Sequence, residues 1–342
     1  MKKLSLILVI FALILSAFGS VFAKGESIVV LVPSADHGWT GAVLNYANEK
    51  AEELNAEGYK VTVLASTDPK NQQEQIDDLL AARSVPDGIV ILPYDNTMES
   101  SLVNVAMKDI PFIMFDRIID SDIVQSKVVT NVKGDNFGIG YETAKRFVEK
   151  GLKPDDKIYV MIGDTSSVPG MRNDGLIAGL KEAGWTEEQI ATIEFSDSTG
   201  WSRSTGKQIF IDWINSKTTE ELAKYKFIFT HDDELGMGIL EALSGTEIEE
   251  AKKEAFYDAI ISFASSSGLN EMYLVLKGEH DNPAFPGIVS NFDLFTVTYD
   301  PAMIKTAIQD MVDALNGTTF ESEHVIPVHV VDASNVNEFQ GF

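Results

Sequence analysis

The sequence contains no cysteine, and it has far fewer basic than acidic residues. Without cysteine the chain forms no disulfide, so its stability must come from a large buried core. Acidic residues outnumber basic ones 52 to 27, which gives a formal net charge of −25. This charge disfavours nucleic acid and anionic membranes as partners, since both attract positive charge. It favours solubility, with docking on a basic partner as the alternative.

Long apolar runs are missing except at the start of the chain. Met1-Lys-Lys is followed by an apolar run over residues 4–19 and by small residues up to Ala23. This order is typical of a signal peptide, and the run is short for a membrane span of about 20 residues. We expect export with cleavage after Ala23, the alternative being a retained anchor. Because no cysteine is present to carry a lipid anchor, the periplasm of a two-membraned bacterium is the expected location.

Strand-like apolar runs alternate with amphipathic helical segments, and the alternation restarts after Lys133. Buried strands separated by helices predict parallel sheets covered on both faces. Two such runs predict two sheets, and hence two lobes with a cleft between them. The predicted strands are Ser27–Ser34, Lys60–Ser66, Gly88–Pro93, Pro111–Arg117, Val128–Val132, Lys157–Gly163, Thr192–Ser196, Lys226–Thr230, Ala259–Phe263, Phe292–Tyr299 and Val325–Val331.

Opposite charges close one of these strands, in the run Pro111-Phe-Ile-Met-Phe-Asp116-Arg117, and Arg172 follows another. Ligands of open α/β sheets bind at the carboxyl ends of the strands. Carboxylates and guanidinium groups share charge-assisted hydrogen bonds with vicinal hydroxyls, and indole rings pack on the apolar face of a sugar. Further polar or aromatic residues that follow strands in the same way are His37, Trp39, Thr40, Trp201 and Asp232.

Taken together, these segments resemble the type I periplasmic sugar-binding proteins of ABC importers, near the ribose- and galactose-binding members. The resemblance covers nearly all of the chain after Ala23, and the order of the motifs is more specific than any one of them. Its carriers are the helix start at Trp39, the strand end Asp116-Arg117, the segment from Arg172 to Leu176, and the run Phe229-Thr-His-Asp-Asp-Glu-Leu-Gly-Met-Gly238.

The resemblance implies which residues contact the ligand and where this chain departs from the family. Thr40 replaces a second aromatic ring, and Ala264 with a run of serines follows Phe263 where the family often has Gly-Phe-Asp. The second departure implies that one carboxylate acceptor is missing. The implied ligand contacts are His37, Trp39, Thr40, Asp116, Arg117, Arg172, Trp201, Asp232 and Tyr299.

The resemblance also implies an α/β fold of two Rossmann-like lobes, whose parallel sheets are joined by a three-strand hinge. The first lobe would comprise residues 24–131 and 300–327, and the second 132–299 and 328–342. The implied function is capture of a neutral monosaccharide or cyclic polyol (hexose, pentose or inositol-like) without catalysis, metal or other cofactor. The implied partner is an ABC permease in the inner membrane, with a chemoreceptor as a further candidate, and the protein is expected to be a monomer.

Other readings of the same residues remain open. Asp116 and Arg117 would also suit a surface ion pair. The run Asp232-Asp233-Glu234 would suit a metal cluster or a helix cap. We favour Asp232 as a ligand contact, Asp233 as the cap, and no metal.

Two other functions compete with sugar capture. A secreted carbohydrate-active enzyme would use paired carboxylates, but neighbouring arginines are expected to lower carboxylate pKa values, which suits acceptors better than general acids. A transcription regulator of the lactose-repressor type would share the two-lobed fold. It would need a basic helix-turn-helix before the first lobe, where this sequence has the apolar run that ends near Ala23.

Overall fold

A computed structural model describes residues 25–34 and 38–342 of the protein. The predicted signal peptide and His37 lie outside these described residues. The described chain forms two six-stranded sheets, ordered β11-β5-β4-β3-β1-β2 and β12-β10-β9-β8-β6-β7. The strands are β1 Ser27–Pro33, β2 Lys60–Ser66, β3 Gly88–Ile91, β4 Phe112–Phe115, β5 Val128–Gly134, β6 Lys157–Met161, β7 Glu194–Phe195, β8 Tyr225–Thr230, β9 Ser262–Ser267, β10 Asp293–Thr298, β11 Glu323–Ile326 and β12 Val330–Asp332.

Helices connect the strands, as the alternation predicts. The strand pairs in the first sheet are parallel, and in the second sheet β10 and β12 pair in the antiparallel direction. The α-helices are α1 Gly38–Glu57, α2 Pro69–Ala81, α3 Glu99–Met107, α4 Asp122–Gln125, α5 Asn136–Glu149, α6 Ser167–Glu182, α7 Glu187–Ile190, α8 Arg203–Ser216, α9 Thr219–Leu222, α10 Asp233–Ser244, α11 Glu250–Ala259, α12 Asn270–Lys277, α13 Phe285–Val289 and α14 Met303–Leu315.

The chain passes from one sheet to the other three times: after β5, after β10 and after β11. The α/β fold class and its two parallel-rich sheets are therefore confirmed. The lobe limits given above, 24–131 with 300–327 and 132–299 with 328–342, stay a prediction. In each sheet the strand order reverses between two neighbours, β1 and β3 in the first and β6 and β8 in the second. Such reversal points open a crevice at the carboxyl ends of the strands.

Two strand predictions are wrong. The single strand expected over Val325–Val331 is two strands in different sheets, β11 and β12. Pro327 follows β11, and it has no N–H with which to continue a ladder.

The strand expected over Ala259–Phe263 instead runs over Ser262–Ser267, where the serines are buried inside the sheet. Serine is uncommon in buried strands, so a prediction based on apolar residues placed this strand too early in the sequence. Ala264 is fully buried in mid-strand and does not stand at the strand end where a ligand acceptor was expected.

Apolar burial holds helix α5 on the second sheet. Phe147 is fully buried, and its ring centroid lies 4.8 Å from that of Phe227 and 6.2 Å from that of Phe295. Phe137, on the same helix, is 45 % exposed. Within the described residues, no helix combines the length and the apolar character needed to cross a bilayer.

We expect Phe147→Ala to lower the free energy of unfolding by about 3–5 kcal/mol, because it opens a cavity between fully packed rings. Phe137→Ala is the control on the same helix, and its cost should stay below about 1 kcal/mol because the side chain is largely exposed. Urea unfolding followed by circular dichroism measures both. Equal losses for the two variants would contradict the packing described here.

Candidate functional site

The carboxyl ends of both sheets face one narrow cavity near the crossing after β10. Its volume is about 30 Å³, which is room for about two water molecules. Seven of the nine predicted contacts lie around it. Thr40 is buried on the first turn of α1 but does not line the cavity, and His37 lies outside the described residues. The lining residues are Trp39, Asp116, Arg117, Ser166, Val168, Arg172, Trp201, Asp232 and Tyr299.

Asp116 and Tyr299 join the two halves of this cavity. Asp116 follows the buried strand β4 with φ at +62°, a left-handed conformation that is rare outside glycine and clusters at functional sites. The Tyr299 hydroxyl donates a hydrogen bond to the Asp116 carboxylate and accepts one from Asn136 Nδ2 at 2.9 Å. The Tyr299 carbonyl accepts a bond from Trp39 Nε1 at 2.8 Å. Tyr299 therefore contacts residues that precede and follow the first crossing.

Arg172 lines the cavity and is almost fully buried. Its guanidinium carbon lies 4.9 Å from the ring centroid of Tyr299 and 5.5 Å from that of Trp201. Its Nε donates to Asn136 Oδ1 at 2.9 Å, and its Nη1 donates to the His231 carbonyl and to Ser266 Oγ. A guanidinium held in this way has a fixed orientation, which is what recognition of a specific hydroxyl pattern requires.

Two indole rings form part of the cavity wall. The ring of Trp39 stacks on Phe115 with centroids 6.1 Å apart, at 6° between the planes. Trp201 follows Gly200, and the φ angles of the two residues are +62° and +59° respectively. Two consecutive left-handed residues make a sharp turn that aims the Trp201 ring back at the end of β6. Trp39 lies on α1, a helix that packs on the first sheet. Trp201 lies in the turn between β7 of the second sheet and α8.

The acidic residues at the start of α10 have roles different from those predicted. Asp232 is the cap, because its Oδ1 accepts from Glu234 N at 2.8 Å. Asp233, which we expected to be the cap, is fully buried, and its carboxylate accepts from Gly268 N at 2.8 Å and Leu269 N at 2.9 Å. It therefore fixes the loop that follows β9. Asp232 lines the cavity as well as capping the helix.

The expectation of lowered carboxylate pKa values is wrong for both of the carboxyl groups that line the cavity. Burial raises the pKa of Asp116, although the Tyr299 hydroxyl and the nearby arginines oppose the shift. Burial, together with the charge of Asp233, raises the pKa of Asp232 to about 8. Burial would also raise the pKa of Asp164, but hydrogen bonds from Ser166 and Trp201 outweigh it, and the net pKa is lowered. The pKa argument against a general acid therefore no longer holds.

Several residues that hold the cavity side chains in place were not predicted from the sequence. Asn136 bonds both Tyr299 and Arg172, and Asp164 bonds Trp201 and Ser166. The sequence did contain a signal for Asp164 and Ser166, because they lie in a Ser- and Gly-rich segment that follows a strand and precedes Arg172. Nothing in the sequence distinguishes Asn136 from an ordinary residue of a first helical turn.

A wider groove of about 790 Å³ opens on the outer side of Trp201. Its charged groups are already paired with one another: Arg203 bonds Glu234 at 2.5 Å and Glu241 at 3.2 Å. Of the two spaces, the narrow cavity has the buried, convergent polar groups that are typical of a ligand site. In the part of the chain that the structure describes, no three His, Asp or Glu side chains are grouped so that they could hold a metal ion.

Comparison with known proteins identifies relatives of the whole two-sheet unit. Residues 28–319 match the sequence model of a family described as "Periplasmic binding protein domain". The fructose import binding protein FruE of Bifidobacterium longum is 24% identical over 303 residues, which cover 85% of this chain and 81% of that protein. The D-apiose import binding protein of Actinobacillus succinogenes is 26% identical over 207 residues, covering 59% of this chain and 63% of that protein.

Solved structures share the fold. A galactofuranose binding protein superimposes with a TM-score of 0.71 at 21% identity, covering 92% of this chain and 96% of that one. An ABC transporter solute binding protein from Bacillus halodurans with bound myo-inositol gives a TM-score of 0.71 at 20% identity, covering 93% of this chain and 98% of that one. At these identities the likeness establishes the fold alone.

The raised pKa of Asp232 predicts a pH-dependent stability. Between about pH 4 and 8 the unfolded chain has released a proton that folded Asp232 retains, so stability falls as pH rises through this window and levels off above about pH 8. Asp232→Asn keeps an oxygen to cap α10 but does not titrate. The free energy of unfolding of the variant minus that of the unmodified protein should therefore increase as pH rises, by up to about 1.4 kcal/mol per pH unit across the window. Urea titrations at several pH values measure this difference, and a difference that does not vary with pH would contradict it.

Proposed function

The chain belongs to the periplasmic binding protein domain family, and from this premise we propose that it captures a neutral monosaccharide or cyclic polyol between its two sheets. The single observation that carries the proposal is the shared cavity. Asp116 and Arg117 reach it from the end of β4, Arg172 and Asp232 reach it from the second sheet, and Tyr299 lies at the crossing between them. A ligand held there contacts both sheets at once.

The balance of groups in the cavity supports an uncharged, hydroxyl-rich ligand. Two carboxyl groups and two guanidinium groups line it together with two indole rings and a phenol. Guanidinium and carboxyl groups both form hydrogen bonds with vicinal hydroxyls, while indole faces accept the C–H face of a ring. The relatives named for fructose and D-apiose, and the similar folds named for galactofuranose and myo-inositol, support this ligand class. Hexoses, pentoses and inositol-like cyclitols are all candidates.

Capture requires movement. The cavity holds about 30 Å³, so the lining side chains or the two sheets must separate to admit a sugar ring. The three crossings between the sheets form the natural hinge for such a motion. A ligand shifts an equilibrium between open and closed forms only by its differential affinity for them. Contacts from both sheets exist only in the closed form, and they supply that difference.

We further propose that the closed form delivers its ligand to an ABC permease in the inner membrane, and that a chemoreceptor is a second candidate partner. The names of the relatives as import binding proteins support delivery to an importer. The basic start and apolar run before Ala23 support export to the periplasm. Under this proposal the protein acts as a monomer and is not an enzyme.

We expect the purified mature protein to bind one neutral polyol per chain and to return it unchanged. A thermal-shift screen of hexoses, pentoses and cyclitols selects candidates, and calorimetric titration gives the stoichiometry. Nuclear magnetic resonance of the sugar after long incubation then tests for turnover. Because the raised pKa of Asp232 would also suit a general acid, a converted sugar would favour the carbohydrate-active enzyme and sink the transport proposal.

Arg172→Ala should weaken binding of that polyol by about 2–4 kcal/mol, because a buried charge-assisted donor is lost. It should also reduce stability, since Arg172 holds Asn136 and the His231 carbonyl. Arg146→Ala is the matched control, because Arg146 bonds Asp293 at 2.9 Å and Asp332 at 2.8 Å away from the cavity. Calorimetry should show a stability loss for both variants and an affinity loss for Arg172→Ala alone. Equal affinities would contradict the site.

A further inference from the structure

We propose that Gly163 is a specificity-determining residue. Because it has no side chain, the Trp201 ring can pack against the backbone at position 163, and this fixes where the ring forms the wall of the cavity. The inference rests on the proposed function and concerns the same site. Gly163 follows β6 and has no contact with the cavity itself. Its effect passes entirely through Trp201, so it is a positioning residue.

The indole ring of Trp201 occupies the space that a side chain at position 163 would need. A Cβ atom built on Gly163 would lie well inside 3.0 Å of three ring carbons of Trp201, Cη2, Cζ2 and Cζ3. Real Cβ atoms essentially never approach heavy atoms so closely. The ring therefore lies directly on the backbone at Gly163, and any larger residue there must displace it.

The loop that carries the ring is anchored to the same glycine. The Gly163 carbonyl accepts hydrogen bonds from Thr199 N at 2.8 Å and from Gly200 N at 3.1 Å. The Thr199 hydroxyl bonds the Ile162 carbonyl at 2.8 Å. Gly200 and Trp201 both have left-handed φ angles, so the turn has little freedom to adjust.

The Arg172 guanidinium carbon lies 5.5 Å from the ring centroid of Trp201, and both residues line the cavity of about 30 Å³. A methyl group added at position 163 must displace the ring and thus change the wall of this cavity. Ligands that pack against the ring lose more affinity from this displacement than ligands that do not.

A double-mutant cycle tests this coupling. The affinities of myo-inositol, D-fructose and D-ribose are measured by calorimetry for the unmodified protein, Gly163→Ala, Trp201→Ala and the double variant. We expect Gly163→Ala to lose at least tenfold in affinity for the best-bound probe. In the Trp201→Ala background the same change should cost less than twofold. Equal losses in both backgrounds would overturn the inference.

Gly170→Ala is the control, because a Cβ at Gly170 on α6 meets no atom within 4 Å. Its affinity should stay within twofold of that of the unmodified protein, and a tenfold loss there would show that the effect is not specific to Gly163. The φ angle of Gly163 lies outside the left-handed range, so alanine is compatible with its backbone.

A ligand-free measurement separates failure of this inference from failure of the proposed function. Acrylamide quenching of Trp201 emission, taken as the difference from Trp201→Phe, should change in Gly163→Ala and stay unchanged in Gly170→Ala. If none of the probes binds the unmodified protein, the proposed function loses its support while the quenching still tests the position of the ring. Unchanged quenching in Gly163→Ala would overturn the inference whatever the sugars do.

Discussion

The site depends on one residue, Tyr299, and on the hydrogen bonds that converge on it. Its hydroxyl bonds Asp116 and Asn136, its ring lies beside Arg172, and its carbonyl accepts from Trp39. Tyr299 stands where the chain leaves the second sheet for the first. The position of the hinge and the arrangement of the cavity are therefore coupled through a single side chain. A movement between the sheets must rearrange these bonds, and the same bonds orient the groups that face a ligand.

Desolvation dominates the electrostatics of the cavity. Opposite charges near a carboxylate lower its pKa only when the group keeps enough solvent or hydrogen bonds to offset burial. Asp164 has such bonds, from Ser166 and Trp201, whereas Asp116 and Asp232 are buried more completely and their pKa values rise. A protonated carboxyl can donate as well as accept. The cavity thus offers a ligand hydroxyl both kinds of partner, and the ratio between them changes with pH.

The alternation of apolar and amphipathic segments was enough to predict two parallel sheets, because helix-linked buried strands have few other arrangements. It was also enough to place Asp116 at a strand end, whereas Arg172 lies within helix α6. The predictions for β9 and β12 failed for two reasons. Serines whose hydroxyls bond Thr230, Arg172 and the His231 carbonyl can fill a buried strand. Pro327 divides what looks like one apolar run. The sequence could not show which of Asp232 and Asp233 caps α10. Adjacent residues of the same type differ only in the direction that the turn gives to their side chains. Asn136 gave no signal, because its importance comes from tertiary contacts alone.

The pairing of β11 with β5 has a consequence for biogenesis. Lys133 and Glu323 form an ion pair across these strands although they are 190 residues apart. During synthesis the first five strands emerge early, but β5 keeps an unpaired edge until β11 has been made. Phe342 in turn accepts a hydrogen bond from Asn270 N at 2.9 Å. The first sheet is therefore completed only after the whole second run of strands, β6 to β10, has been synthesised.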